Sequence, residues 1–118
     1  METLNYKTEI EKNGVITFVP TGNSMLPFIK NHKYSVIAVK KTERLKPLDV
    51  ALYTVGDKYV LHRVLAVKDG YYIICGDNRP EYEKVNEDDV FGVMTGYYKG
   101  KKYVDCNDPA YIKKIKKW

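Results

Sequence analysis

The strongest constraint on the fold is a hairpin signal in the middle of the chain. Two runs rich in β-branched and aromatic residues, 59–67 and 71–75, flank Lys68-Asp69-Gly70. Asp-Gly between two such runs favours a two-residue turn, because both of its positions tolerate the left-handed backbone that this turn needs. The sequence therefore predicts two antiparallel strands joined at Asp69-Gly70.

Further strand-like runs surround this hairpin at close spacing. Eleven tyrosines in 118 residues, together with abundant valine and isoleucine, favour β structure. Such a pattern indicates one domain over residues 1–118, all-β and mostly antiparallel, as a sandwich or a barrel. The other predicted strands are 15–19, 34–39, 49–55, 89–98 and 102–105.

The two ends of the chain differ from the strands between them. Residues 1–14 carry mixed charge and a weak pattern, which indicates a peripheral element or a frayed end. Residues 107–118 predict a basic amphipathic helix, with Asp108 as N-cap and Pro109 in its first position. Its apolar stripe docks on the β core or, alternatively, lies on an anionic membrane surface. The stripe consists of Tyr111, Ile112, Ile115 and Trp118.

Composition limits the classes of function. An apolar content of 44% and a charged content of 30% are typical of a soluble globular protein. Without a membrane-spanning run or a signal peptide, a cytoplasmic protein is expected, membrane-peripheral only through its C-terminal helix. Cys75 and Cys106 lack metal-ligand or redox spacing, so no metal and no cofactor are expected. A net charge of +5 does not require a nucleic-acid partner, and no stacking-aromatic RNA motif is present.

The hairpin brings a histidine to an aspartate. With Asp69 and Gly70 as the loop, Val67 faces Tyr72, Leu65 faces Ile74, and His62 faces Asp77. Directly opposed residues have Cβ atoms about 4.5–5.5 Å apart, so the carboxylate can fix the tautomer of the imidazole and stabilise its protonated form. A shift of one residue would turn Asp77 to the other face.

A serine follows the first predicted strand at a turn. Ser24 lies between Thr21-Gly22-Asn23 and the apolar segment 25–29. A hydroxyl at a strand-to-turn junction, with backbone N–H groups around it, is a candidate nucleophile; alternatively, Ser24 caps a helical turn. His62 alone could be a structural histidine, and Asp77 alone a turn residue. Their joint occurrence with Ser24 favours a catalytic site.

These residues lie in motifs that resemble those of type I signal peptidases and the related self-cleaving repressors. Gly22-Asn23-Ser24-Met25-Leu26-Pro27 resembles the family's Ser-Met-x-Pro box, and Pro47-Leu48-Asp49-Val50 its Gly-Asp-hydrophobic strand. Leu61-His62-Arg63-Val64 resembles the Lys-Arg-Val box, with His62 in place of the lysine, as in the endoplasmic-reticulum-type enzymes. Gly76-Asp77-Asn78-Arg79 matches the Gly-Asp-Asn-Arg box, and Phe91-Gly92-Val93-Met94 resembles the next strand.

The resemblance implies a signal-peptidase-like β fold and a serine endopeptidase that cleaves a peptide, leader or precursor after small residues. It implies Ser24 as nucleophile, His62 as general base and Asp77 as the acid that orients His62. The endoplasmic-reticulum-type enzymes carry a second acid a few residues further on, for which Glu83 is the candidate, with Glu81 behind it. Candidate oxyanion or substrate contacts are Asn23 and Met25.

The sequence departs from the family in several respects. No membrane anchor is recognised, which implies a soluble, stand-alone form, and no DNA-binding helical domain precedes the β region, which argues against a repressor. Gly22 stands where the family has a serine that donates to the oxyanion. This glycine favours an alternative, a non-catalytic peptide-binding β module of the same fold.

Overall fold

The fold is one antiparallel sheet with a helix from each end of the chain packed on it. The computed structural model describes residues 5–20, 34–56, 58–77 and 81–117. Over these residues, eight strands share a single sheet, which confirms the predicted all-β class with a short C-terminal helix. The strands are β1 (Val15–Phe18), β2 (Tyr34–Lys40), β3 (Val50–Val55), β4 (Lys58–Val67), β5 (Tyr71–Cys75), β6 (Glu83–Asn86), β7 (Val90–Lys99) and β8 (Lys102–Asp105). The helices are α1 (Tyr6–Asn13) and α2 (Pro109–Lys117), with a 3-10 turn at Glu87–Asp89.

Strand β7 holds the two halves of the sheet together. The order is β1-β2-β7-β3-β4-β5-β6, and β8 also pairs with β7. One edge of β7 pairs with β2 along its length, whereas the other edge pairs first with β3 and then with β8. Strand β7 thereby links β1 and β2 to the β3–β4–β5 region, which carries His62.

Side chains of β3 alternate between two packed faces. Val50 and Leu52 point to the face that the helices cover, here called the helix face. Ala51 and Tyr53 point to the opposite face, where they pack with Val64 and other buried side chains. Because both faces are covered by apolar contacts, the register of each strand is strongly specified.

Helix α1 lies in the segment predicted as a peripheral element or a frayed end. The Asn5 side chain caps it by accepting the Thr8 N–H at 3.0 Å. Gly14, at a φ of 80°, ends it with a hydrogen bond to the Ile10 carbonyl. Ile10 is fully buried in the helix face. A frayed end is therefore wrong for these residues, whose two apolar anchors, Ile10 and the partly buried Tyr6, are too weak a signal to predict a helix.

Helix α2 forms as predicted at the other end. The Asp108 carboxylate accepts the Ala110 N–H at 2.9 Å, as an N-cap does. Tyr111 and Ile115 are buried in the helix face and Ile112 packs against it, so this part of the apolar stripe docks on the sheet, the first of the two alternatives. Trp118, the last residue of the predicted stripe, lies outside the described residues. Neither helix in the described part of the chain has the length and apolar character needed to cross a bilayer.

Strand β6 was not predicted, because it lies in the polar segment between residues 76 and 88. Val85 is its one buried apolar side chain, and the strand exists through its pairing with β5. This pairing sets Glu83 opposite Ile74. An edge strand thus delivers a carboxylate to the face that also carries His62.

Candidate active site

The β4–β5 hairpin has the predicted turn but not the predicted register at its far end. Val67 pairs with Tyr72 and Ala66 with Ile73, as predicted from Asp69-Gly70. A bulge at Leu65 then adds one residue to β4, so Val64 pairs with Ile74 and Arg63 with Cys75. The predicted oppositions of Leu65 with Ile74 and of His62 with Asp77 are therefore wrong.

With this register, the carboxylate of Asp77 is bonded to Arg63. Arg63 Nε donates to Oδ1 of Asp77 at 2.9 Å, and Nη2 donates to Oδ2 at 2.5 Å. Both side chains are nearly buried, with exposed fractions of 2% and 7%. Arg63 follows His62 in β4, so its side chain lies on the helix face while that of His62 lies on the opposite face. The orienting acid predicted at Asp77 is thus held on the other side of the sheet.

Arg63 also ties distant parts of the chain to this pair. Its Nη1 donates to the Leu48 carbonyl at 2.9 Å and to the Tyr111 hydroxyl of α2 at 3.1 Å. Leu48 has a φ of 80°, a left-handed conformation that is costly for leucine. That backbone presents its carbonyl to the buried guanidinium, so the strain accompanies a charge-assisted hydrogen bond.

His62 lies in a triangle of polar atoms on the opposite face. Its Nδ1 is 3.3 Å from Oε1 of Glu83 and 3.3 Å from the Tyr53 hydroxyl. The Tyr53 hydroxyl itself donates to the same Oε1 of Glu83. Three strands build this triangle, since Tyr53 comes from β3, His62 from β4 and Glu83 from β6. The candidate second acid, and not Asp77, is therefore the carboxylate at the histidine.

The contacts of the triangle favour one tautomer of His62, the one with its proton on Nδ1. The tyrosine proton goes to the carboxylate, and an ionised carboxylate can only accept. A proton on Nδ1 gives each donor an acceptor, whereas a bare Nδ1 would face the carboxylate lone pairs. Nε2 is then the nitrogen without a proton, which is the nitrogen that a general base uses.

The three side chains of the triangle differ in their exposure to solvent. Tyr53 is 1% exposed, while the side chains of His62 and Glu83 are 13% and 41% exposed. Burial, and next the hydrogen bond to the Glu83 carboxylate, raise the pKa of Tyr53 well above its ordinary value. Tyr53 therefore stays a neutral donor over the physiological pH range, and the ring of His62 is nearly enclosed with one side towards the surface.

The predicted site residues have different outcomes. His62 and Glu83 come together, Asp77 bonds to Arg63, and Glu81 is exposed. The nucleophile Ser24 and its neighbours Asn23 and Met25 lie outside the described residues.

Tyr53 is the member of the triangle that sequence reasoning missed. The signal was present in Gly56-Asp57, a dipeptide whose sequence favours a two-residue turn between strand-like runs. It predicts the observed pairing of Val55 with Lys58 and of Ala51 with His62, which makes Tyr53 a diagonal neighbour of the histidine.

The two sequence comparisons found no match. No protein-family model matches the chain, and no curated protein matches it in sequence. Within the described ranges, no group of three or more His, Cys, Asp or Glu side chains is arranged to hold a metal ion. The functional interpretation depends on the triangle at His62 and on the sequence motifs.

Proposed function

We propose that the protein is a serine endopeptidase related to signal peptidases, with Glu83 in place of Asp77 as the acid that orients the base. His62 Nε2 takes the proton of the Ser24 hydroxyl as its oxygen attacks a peptide carbonyl. The leaving amine receives that proton as the acyl-enzyme forms. His62 then deprotonates the water that attacks the ester and gives that proton to the Ser24 oxygen as the ester bond breaks.

The observation that carries this proposal is the 3.3 Å approach of Glu83 Oε1 to His62 Nδ1. A carboxylate at Nδ1 orients the ring and stabilises the positive charge that it gains on taking the serine proton. The partial exposure of the His62 side chain is also suited to a base that meets a substrate, since a purely structural histidine gains nothing from access to the surface.

The assignment of Ser24 as the nucleophile rests on the resemblance of residues 22–27 to the Ser-Met-x-Pro box, since Ser24 lies outside the described residues.

Substrates of this site would be extended peptides with small side chains before the cut, as the resemblance implies. An extended peptide can add to a sheet edge through its backbone hydrogen bonds. We propose soluble leaders or precursors as the natural substrates. A cytoplasmic location stays a prediction from the sequence.

The proposal is tested by incubating the purified protein with a mixture of peptides that contain small residues and identifying products by mass spectrometry. We expect cleavage by the wild-type protein, and loss of cleavage in Ser24→Ala and in His62→Ala. His32→Ala is the matched control, because it removes the other histidine and should cleave normally. Cleavage that survives Ser24→Ala would contradict the proposal.

A peptide-binding β module without turnover is the second candidate, favoured by Gly22 at the position of the family's side-chain donor to the oxyanion. Backbone N–H groups alone would then have to stabilise the oxyanion. Saturable binding of peptides from the same mixture, with every peptide recovered intact, would support the module over the enzyme.

A further inference from the structure

We propose that Tyr53 is a positioning residue that holds the Glu83 carboxylate against His62 and so fixes the tautomer of the base. This inference rests on the proposed function for its catalytic consequence, but not for its effect on the histidine ring. The resemblance to signal peptidases assigns nothing to this position; the contacts of the hydroxyl do.

The need for such a residue follows from where Glu83 lies. It sits in the four-residue strand β6, at the end of the described strand order, and its side chain is 41% exposed. An exposed glutamate has several rotamers and exchanges protein contacts for water at little cost in free energy. Its 3.3 Å contact with Nδ1 would not by itself hold the carboxylate in one place.

Tyr53 supplies the missing restraint. Its ring is 1% exposed and packed in the opposite-face core, and it lies edge-on to the His62 ring with centroids 6.3 Å apart. The hydroxyl can therefore move little, and it donates to the same oxygen of Glu83 that faces Nδ1. Because burial and the neighbouring carboxylate raise the pKa of Tyr53, the hydroxyl keeps the proton that it donates.

The chain contains a matched control for this hydroxyl. Tyr72 belongs to the same opposite-face core and is also fully buried. Its hydroxyl accepts the Leu45 backbone N–H at 3.1 Å. Tyr53→Phe and Tyr72→Phe each remove one buried hydroxyl and keep the packed ring, but only Tyr53→Phe removes the donor to Glu83.

The test reads the His62 tautomer by long-range ¹H–¹⁵N NMR at about pH 8.5, where an ordinary imidazole is neutral. The His32→Ala variant assigns the signals. We expect a proton on Nδ1 in the wild type and in Tyr72→Phe, and a mixture of tautomers in Tyr53→Phe. Amide spectra of the same samples show that each variant is folded. A wild-type tautomer in Tyr53→Phe, or the same change in Tyr72→Phe, would overturn the proposal.

Steady-state kinetics of the variants provide a second test of the positioning role. Loss of a hydrogen bond to a charged group predicts about a 10- to 100-fold fall in kcat for Tyr53→Phe, with KM nearly unchanged. Since Tyr53 acts through Glu83, adding Tyr53→Phe to Glu83→Gln should give no further loss, and additive losses would contradict the mechanism. If the tautomer shifts in Tyr53→Phe but even the wild-type protein cleaves no peptide, the positioning role is supported and the peptidase proposal is wrong. If cleavage requires Ser24 and His62 but Tyr53→Phe changes neither the tautomer nor kcat, the peptidase proposal is supported and the positioning role is wrong.

Discussion

Two neighbouring residues of β4, His62 and Arg63, contact different groups because successive side chains in a strand point to opposite faces. His62 meets Tyr53 and Glu83 in the triangle, whereas Arg63 meets Asp77 and the Tyr111 hydroxyl on the helix face. The two carboxylates are therefore distinguishable by experiment. Glu83 should matter for catalysis, and Asp77 for stability.

Replacing Glu83 with glutamine should reduce activity and spare the fold. The amide removes the negative charge that stabilises the protonated base, so we expect kcat to fall about 10²- to 10⁴-fold, the range of an acid–base contribution. Steady-state cleavage measures it, and Glu83→Asp, which keeps the charge, should retain more activity. Equal activity of Glu83→Gln and the wild type would show that this carboxylate does not serve the base.

Replacing Asp77 with asparagine should destabilise the protein. It leaves the nearly buried charge of Arg63 without its carboxylate, which typically costs about 3–5 kcal/mol of the free energy of unfolding. Urea denaturation measures the loss. Adding Arg63→Met should recover part of it, because the uncompensated charge is then gone. If the single variant is as stable as the wild type, the Arg63–Asp77 ion pair does not contribute to the stability of the fold.

At the scale of elements, the sequence predicted the strands that carry their own apolar pattern and a turn signal. The β4–β5 hairpin is of this kind, and α2 was predicted from its N-cap and the helical spacing of its apolar residues. The bulge at Leu65 was not predictable, since its extra residue is selected by packing against both faces and has no local signal. Strand β6 and its Glu83 depend on pairing with β5 and not on their own residues. The acid opposite the histidine was therefore predicted in the wrong register, while the catalytic roles of His62 and Glu83 stay predictions.

The docking of α2 predicts an asymmetry between its two sides. Ile115→Ala removes a side chain buried in the helix face and should reduce the free energy of unfolding by about 2–5 kcal/mol. Lys113→Ala, on the exposed side, should change it by less than about 0.5 kcal/mol. Thermal or urea denaturation compares the two. Similar small effects of both substitutions would mean that the helix contributes little to the core.

At the scale of the molecule, burial raises the pKa of several phenolic and thiol groups. Burial raises the pKa of Cys106 to about 11 and that of Tyr97 to about 12. Tyr111, which joins α2 to Arg63, is shifted in the same direction, also chiefly by burial. The folded state therefore binds these protons more tightly than the unfolded chain does.

This difference predicts alkaline destabilisation. Below pH 9.0, the ordinary pKa of the thiol, Cys106 is protonated in the folded and unfolded states, and its contribution to the free energy of unfolding is fully present. As the pH rises towards about 11, the unfolded chain loses the proton first, so the free energy of unfolding falls. Urea denaturation between about pH 8 and pH 11 should show this decline, and Cys106→Ala should show less of it. A constant or rising stability over that range would contradict the burial of these groups.

The most direct test of the proposed chemistry is to trap the nucleophile. A peptide aldehyde with a small terminal residue, ¹³C-labelled at the aldehyde carbon, forms a hemiacetal with an activated serine and mimics the tetrahedral intermediate. We expect the ¹³C spectrum of the wild-type protein to show the hemiacetal resonance, Ser24→Ala to show none, and His62→Ala to show a much weaker one. A hemiacetal that persists in Ser24→Ala, or its absence from a wild-type sample that binds the aldehyde, would contradict the assignment of Ser24 and His62 as nucleophile and base.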